Sequence, residues 1–525
     1  MSAPRGLLYC AIAAVYVLAF PYHPGLRSPN ELSRLMQSRG LVDFGELSLN
    51  RAMRVYGPIG DLSYLDGRFY PSKAPLLSFA AAPIYAALRL LAGNRIGAVP
   101  EIPLVFFARL LLTVLPTLVT LVFLRRFLAT HVDPTTTDLV LVFYAFGTLA
   151  FSYSLQFLSH QTSANLVFLS FYAGWRWARR EASQRILALV GLLAALAVAA
   201  EYTSAMAAGL LAAGIPFARP DDTRSRLRAL LLVGLGAAGP LILLGAYHQQ
   251  CFGSPLETGY KHLADAAYQP WHLGGLLGIR TPDPRAFALS LFSPLRGLFA
   301  LSPGLLVGIA GLPLLWRARF ASRELGPIAV FTTALLMAYL YFTSSFSYES
   351  WGWTTGPRHM TGLGPFLLLP AGLLLQRLKS PLGLGCSRGL LAVSVLITGW
   401  VTLVNYIPDS ISEPVFALVL PLAERGDLVP SVLAFLGLPN PWSGSLFVAA
   451  IVASAVYVLL LGTSTSHGRL GTILAGVLTV TLVLALHRAS YEDTAGDHGA
   501  VELLSRVWLA PAGVVPRFWS TTGSP

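Results

Sequence analysis

The sequence predicts an all-α polytopic integral membrane protein of about thirteen transmembrane helices, with interfacial helices in a long first outer loop. Three observations predict it. The 525 residues are 54% hydrophobic and only 12% charged, where a soluble domain carries about 25% charged residues. Apolar stretches near the ~20 residues needed to cross a bilayer recur along the whole chain. Lys and Arg collect in alternate loops, as membrane topology produces. The mean hydropathy of +0.62 agrees.

Taken in order, the spans are Leu7–Phe20, Leu104–Leu124, Asp138–Ser154, Thr162–Trp177, Ile186–Ala200, Thr203–Phe217 and Leu227–Tyr247. Leu298–Trp316, Gly326–Phe342, Gly362–Gln376, Gly389–Tyr406, Ser445–Leu461 and Leu470–His487 follow. Leu7–Phe20 has the length of a signal-peptide core, but Pro21-Tyr22-His23-Pro24 follows it with no small-residue cleavage site, so it reads as a retained span. Ala74–Ala92 is apolar too, yet it contains Pro75 and Pro83 and ends near Arg89. If it does not cross, the cations at Arg5, Arg125, Arg126, Arg176, Arg179, Arg180, Arg219, Arg317, Arg377 and Arg469 all fall on one side. Cytoplasmic loops collect Lys and Arg, so that side is the cytoplasm. Ala74–Ala92 then lies on the outer face, the N-terminus is cytoplasmic, and the tail 488–525 is outside. Residues 1–525 form one transmembrane domain. Its outer stretches are 21–103, 248–297, 343–361 and 407–444. Gly304 and Gly308 fit a GxxxG packing pattern, but 48 glycines make such spacing expected by chance.

Composition also excludes. A net charge of +12 would raise nucleic acid as a partner in a soluble protein; here the Arg residues sit between apolar segments, and no nucleic-acid partner is expected. Cys10, Cys251 and Cys386 form no CxxC. The sequence has no HExxH, EF-hand loop, P-loop or GxSxG elbow.

The polar residues crowd the outer ends of the spans. They are Asn30, Glu31, Arg34, Asp43, Asp61, Tyr64, Tyr70 and Lys73, then His160, Glu201, Tyr260, Arg296, Trp351, Arg358 and His359. Ionisable groups at membrane depth are costly and mark functional sites. Each has a plainer reading. Ser28-Pro29-Asn30-Glu31 is also a capping box, which would turn Leu32, Leu35 and Met36 to lipid with Glu31 and Arg34 opposite. Lys73 can snorkel. His160 can be a satisfied interfacial histidine, Glu201 can cap the helix from Thr203, and Trp351 fits the aromatic belt. Arg296 and Arg358, between Pro and Gly turns, are harder to read as anchors. Two fixed guanidinium groups suit phosphate or another anion.

A first span followed by an acidic motif, a long loop ending Tyr70-Pro-Ser-Lys73-Ala-Pro75, and Arg109 near the start of the next span resembles the GT-C superfamily of membrane glycosyltransferases. The resemblance is to the bacterial branch of aminoarabinose lipid A transferases and protein O-mannosyltransferases. Phe252–Tyr260, Ser293–Phe299 and Trp351–Arg358 look like segments of its uncharacterised members. The resemblance implies a sugar donor carried on polyprenyl phosphate in the bacterial inner membrane, and an acceptor that is a lipid, glycan or protein. It implies that Glu31 is the acidic residue after the first span and Lys73 the contact to lipid phosphate. Several relatives place a second carboxylate just before that Lys, where this chain has Ser72. This leaves a divalent metal (Mg or Mn) open, with Asp61 or Asp43 to replace the missing carboxylate.

The chemistry expected on this reading needs a base for the acceptor hydroxyl and cations for the departing phosphate. Glu31 is the candidate base. Lys73, Arg296 and Arg358 are the candidate clamp. Asn30, Arg34, Asp61, Tyr64, Tyr70, His160, Glu201, Tyr260 and Trp351 would hold substrate. The competing class is a lipid or small-solute transporter or flippase, which places its polar site at the midplane in broken, inversely repeated helices; the sequence shows neither feature.

Overall fold

The computed structural model describes residues 5–18, 28–219, 222–275, 278–320, 322, 324–346, 352–404, 406–428, 431–462, 466–507 and 518–519. The chain begins with α1 (Arg5–Leu18), α2 (Pro29–Phe44) and α3 (Asn50–Tyr56). A small hairpin follows, β1 (Leu62–Leu65) and β2 (Arg68–Pro71), then α4 (Leu76–Leu91). Next come α5 (Glu101–Arg109), a π-helical turn (Leu110–Val114) and α6 (Leu115–Leu128), which together make one 28-residue helix. The bundle continues through α7 (Pro134–Gly147), α8 (Leu149–Ser154), α9 (Ser159–Ala178), α10 (Ile186–Ala200), α11 (Ala205–Gly214) and α12 (Thr223–Phe252). Short α13 (Gln269–Leu273), α14 (Pro284–Phe292) and α15 (Leu298–Leu301) lead into α16 (Leu305–Ala318), α17 (Leu325–Ser345) and α18 (Gly364–Arg377). After α19 (Pro381–Val404) come α20 (Leu420–Glu424), α21 (Val432–Phe435), α22 (Trp442–Leu460), α23 (Ser466–Ala489) and α24 (Ala495–Val507).

The protein is an integral membrane protein. Among the described residues six helices are long and apolar enough to cross: Glu101–Leu128, Thr223–Phe252, Leu325–Ser345, Pro381–Val404, Trp442–Leu460 and Gly468–Ala489. Of the other expected spans, Thr162–Trp177 lies within the unbroken 20-residue α9, and the rest are shorter or broken helices. Asp138–Ser154 breaks at Thr148, whose hydroxyl receives the Ala150 N–H and so starts α8 afresh. The expected span from Leu298 breaks at Ser302, just before Pro303, a residue that cannot donate a helical hydrogen bond.

Packing follows from small residues and aromatics. A Cβ on Gly308 or Gly311 would collide with the backbone of Leu367 or Pro370, so these glycines let α16 lie against α18. Of the pair Gly304 and Gly308 noted above, only Gly308 faces α18; Gly304 lies against Phe143 of α7 and Leu391 of α19. Phe127, Phe168, Phe171, Phe331, Phe366 and Trp175 interlock within the bundle, edge to face except for the stacked Phe171 and Phe331.

The hairpin corrects the all-α expectation. Its turn is Asp66-Gly67, both at positive φ (49° and 77°), with Leu65 paired to Arg68 across it. Asp-Gly between β-prone residues is a strong hairpin signal, and the apolar helices overshadowed it. α2 is a second correction. Rather than lying on lipid, it is buried almost all round: Leu35 packs with Leu77 and Ala81 of α4, and Met36 with Leu49, Ala52 and Leu62. α2 and α4 run parallel, joined where Ser38 donates to the Ser78 carbonyl and where Arg89 pairs with Asp43.

The bundle has two unlike ends. At one, Arg125 pairs with Asp138, Arg179 with Glu324, and Gln376 donates to Asp133. At the other lie α2, the hairpin, the start of α9 and the end of α10.

Candidate functional site

Two ionic centres arise at this second end. The first is Glu31. Ser28 caps α2, accepting from the Asn30 N–H, and Pro29 occupies the first turn, as the capping pattern requires. Glu31 does not fold back on the cap. It is fully buried, and Arg109 reaches it with two donors, Nε at 3.0 Å and Nη2 at 2.9 Å. The Phe157 N–H adds a bond of 2.5 Å to Oε1, and the Tyr406 hydroxyl donates to Oε2. The carboxylate thus ties together α2, α5, the link before α9 and the segment after α19. This geometry speaks against Glu31 as the base, because each oxygen already accepts two hydrogen bonds and none is exposed. Arg109 precedes the π-turn, an irregularity common at sites that aim a particular side chain.

The second centre is built around the hairpin. Leu62 pairs with Pro71, so Asp61 and Ser72 flank that last pair. Asp61 takes a left-handed conformation (φ 60°), which Asp tolerates better than most residues. Its carboxylate accepts from Ser72 at 2.8 Å and pairs with Lys73 Nζ at 3.0 Å. Burial opposes charge on Asp61, but Lys73 and Ser72 outweigh it and hold the carboxyl below its usual range. Burial likewise works against the Lys73 ammonium, and Asp61 overcomes it, so Lys73 holds its proton above the usual lysine range. Lys73 Nζ also lies 4.8 Å from the centre of the Tyr260 ring, within cation–π range.

Arg34 enters from α2. Its guanidinium is held by Asn30, through the side-chain and main-chain oxygens, and it donates to the Ser159 hydroxyl at 2.8 Å. Ser159 passes its own proton to Glu201 at 2.7 Å. Glu201 stands in the extended link after α10, 3.5 Å from His160 Nδ1, and is not the side-chain cap of the next turn. His160 meets His359 nearly at right angles, ring centres 5.2 Å apart. Arg34, Lys73 and Arg358 all act electrostatically on His160. Among the described residues three cations therefore face two carboxylates, Asp61 and Glu201. Arg296 is 5% exposed, in the turn before α15, and with Arg358 lies in electrostatic reach of the Tyr153 hydroxyl.

The structure thus brings together Asn30, Arg34, Asp61, Lys73, His160, Glu201, Tyr260 and Arg358, with Arg296 near their edge. Two expected residues fall away. Tyr64 is 48% exposed near the hairpin turn, its ring tilted against Phe69. Tyr70 packs against Phe252 in an apolar cluster with Tyr247 and Cys251. Trp351 lies outside the described residues. Tyr406 and Ser159 were missed: one follows an apolar span and the other is a serine among many. Proximity in the fold was their only signal.

The open metal can be tested against these residues. Asp43 is taken by Arg89, Tyr85 and Tyr56, and Asp61 by Lys73 and Ser72. Neither carboxylate gathers further ligands, so neither replaces the one missing at Ser72. Among the described residues the group that could hold a cation is His160, Glu201 and His359.

No established protein-family profile matches the chain, and no protein of curated function matches it in sequence. Solved structures do resemble it. The crystal structure of ArnT from Cupriavidus metallidurans in the apo state matches with 15% identity and TM-score 0.46, covering 90% of this chain and 77% of ArnT. The same protein bound to undecaprenyl phosphate matches with 14% identity and TM-score 0.47, covering 93% and 78%. The cryo-EM structure of arabinosyltransferase EmbB from Mycobacterium smegmatis matches with 12% identity and TM-score 0.39, covering 96% of this chain and 42% of EmbB. Over most of its length the chain is similar in fold to these ArnT and EmbB structures.

Proposed function

We propose that the protein transfers a sugar from a polyprenyl-phosphate-linked donor to an acceptor hydroxyl on the outer face of the bacterial inner membrane. One observation carries this reading: among the described residues Arg34, Lys73 and Arg358 converge on two carboxylates, leaving positive charge over. A buried cation without a partner is costly, so the cluster favours an anionic ligand. Lys73 stands just before the first turn of α4, where backbone N–H groups also favour an anion. α4 has 16 residues, fewer than a crossing needs, and exposes Phe79, Leu90 and Leu91. It suits a helix lying at the interface beside a lipid tail. The Arg-rich opposite end supports an outward-facing site by the positive-inside rule.

In the reaction the bond between the anomeric carbon and phosphate oxygen breaks, and its electrons leave with the phosphate. The acceptor oxygen bonds to that carbon and gives up its proton. Lys73, Arg358 and Arg34, with Arg296 at the edge, stabilise the departing charge. Asp61 holds Lys73 charged and in place. Glu201, His160 and His359 stand where the acceptor hydroxyl would be activated. Asn30 orients Arg34, and Tyr260 shapes the wall beside Lys73.

Purified protein incubated with a panel of polyprenyl-phosphate sugars tests this. Release of polyprenyl phosphate from one donor, lost in Lys73→Ala, is the expected result. Movement of labelled lipid across proteoliposomes with no donor cleavage would replace the reading with a flippase.

A further inference from the structure

We infer that a groove between α22 and α23 binds an anionic phospholipid, with a stretch of acyl chain in the groove and the phosphate at Arg388. α22 and α23 both pack on α19 but scarcely touch each other. Glycines of α19 set this up. A Cβ on Gly385 or Gly389 would collide with the carbonyl of Thr472 or Gly476, so bare backbone lets α23 lie close there. On the other side Gly399 receives Ile451 of α22 in the same way. Between the two helices remains a groove of about 130 Å³. Ala392 of α19 and Ala455 of α22 form its buried floor. Val452 and Val456 of α22, with Val477 and Thr481 of α23, form its exposed rim. An apolar cavity of about 150 Å³ holds a small hydrocarbon such as benzene. A helix is about 10 Å across and does not enter such a space, whereas a single hydrocarbon chain does.

Arg388 decides which lipid. Arg388, Ala392 and Leu396 lie four residues apart along one row of α19, and the last two line the groove. Arg388 is 6% exposed, and its Nη1 donates at 3.3 Å to the carbonyl of Leu459, itself a groove residue. The guanidinium thus closes one end of the groove. Its Nε is buried without a partner, and among the described residues no carboxylate bears on its charge. A plainer role is a cap on the last turn of α22, whose carbonyls favour a cation. That bond uses one of five guanidinium donors and leaves the charge unbalanced. A buried cation without a counter-ion is costly, and a phosphate at the groove mouth would balance it.

The position of the groove agrees with this occupant. Gly462, beside Arg388, also meets Thr135 at the start of α7, so Arg388 lies at the end of the bundle that holds the Arg125–Asp138 pair. Exposed Arg377, Lys379 and Arg469 share that end. The positive-inside rule assigns it to the cytoplasmic leaflet, where anionic lipids collect and where basic pockets between spanning helices take their head groups. A free phosphate would use the guanidinium but leave the apolar groove unexplained. A lipid accounts for both.

The test uses no sugar donor, so its outcome is separate from the proposed transfer. Full-length protein, delipidated in detergent, is mixed with equal amounts of phosphatidylglycerol and phosphatidylcholine carrying the same chains. Native mass spectrometry then reads the lipid bound per chain. Phosphatidylglycerol should be retained roughly tenfold or more over phosphatidylcholine, the preference expected from a charge-assisted bond to a buried guanidinium. Arg388→Gln should bring it down to the phosphatidylcholine level. Val456→Trp fills the groove from its exposed rim, spares Arg388, and should do the same. Leu230→Trp, on the exposed face of α12, should keep full retention. Excess inorganic phosphate should not displace the lipid. Equal retention of the two lipids, or undiminished phosphatidylglycerol in both Arg388→Gln and Val456→Trp, would overturn the inference. So would displacement by inorganic phosphate, which marks a bare anion site, or a dimer that Val456→Trp dissociates, which marks a second copy in the groove.

Discussion

Glu31–Arg109 and Asp61–Lys73 are both carboxylate–cation pairs set in the same long loop region, yet their surroundings differ. Around Glu31 every acceptor position is filled, and Arg109 is 1% exposed. Around Asp61 the cations outnumber the carboxylates, and Lys73 retains 10% of its side-chain surface. The first arrangement satisfies itself and fastens four segments. The second holds, among the described residues, more cations than carboxylates. On the proposed function, the closed pair is a fastening and the open one receives the substrate phosphate.

The largest test of that contrast is Glu31→Ala. It strands a buried guanidinium and should cost roughly 3–5 kcal/mol, seen as a large drop in thermal unfolding temperature in detergent. A Glu31→Gln protein with unchanged stability and no transfer would return Glu31 to the chemistry. Next is Lys73→Ala, which should lower transfer by roughly a hundred- to a thousandfold and destabilise less than Glu31→Ala, because Asp61 keeps the Ser72 hydroxyl and some solvent. Tyr406→Phe removes one hydrogen bond to the Glu31 carboxylate and should destabilise by about 1.5–3 kcal/mol without changing donor affinity.

Asp61→Asn sharpens the second centre through pH. The lowered Asp61 carboxyl stabilises the fold above the ordinary carboxylate pKa, and that contribution is lost as pH falls through its folded value. The raised Lys73 stabilises below the ordinary lysine pKa, and its contribution is lost as pH rises through its folded value. Without Asp61, burial acts on Lys73 unopposed, so the alkaline limb of polyprenyl-phosphate binding should move to lower pH. An unmoved limb would show that Lys73 does not carry the binding charge. The smallest effect is expected from Tyr64→Ala, within about 0.5 kcal/mol in stability and with no change in donor binding.

Much of the fold was legible because lipid leaves few choices: an apolar stretch must become a helix to satisfy its backbone. The breaks at Thr148 and Ser302 were not legible, since hydropathy does not register a side-chain cap or an extended residue inside an apolar run. Of the site, Lys73, Arg358 and Glu201 stood out as charges at span ends. Glu31 stood out for the same reason, and the structure buries it against Arg109 with both oxygens bonded. Sequence spacing says where a charge begins, whereas only the fold says whether another charge closes it. His160, Glu201 and His359 show the same limit, since only the meeting of three distant segments brings them together.

The hairpin turn Asp66-Gly67 has a bearing on how this chain can drift. Strand side chains alternate with a period of two, so deleting or inserting one residue between Asp61 and Lys73 would swap the faces of a strand. It would part Asp61 from Ser72 and aim Lys73 away from Tyr260. The segment can change many of its letters, but its length is the quantity under constraint.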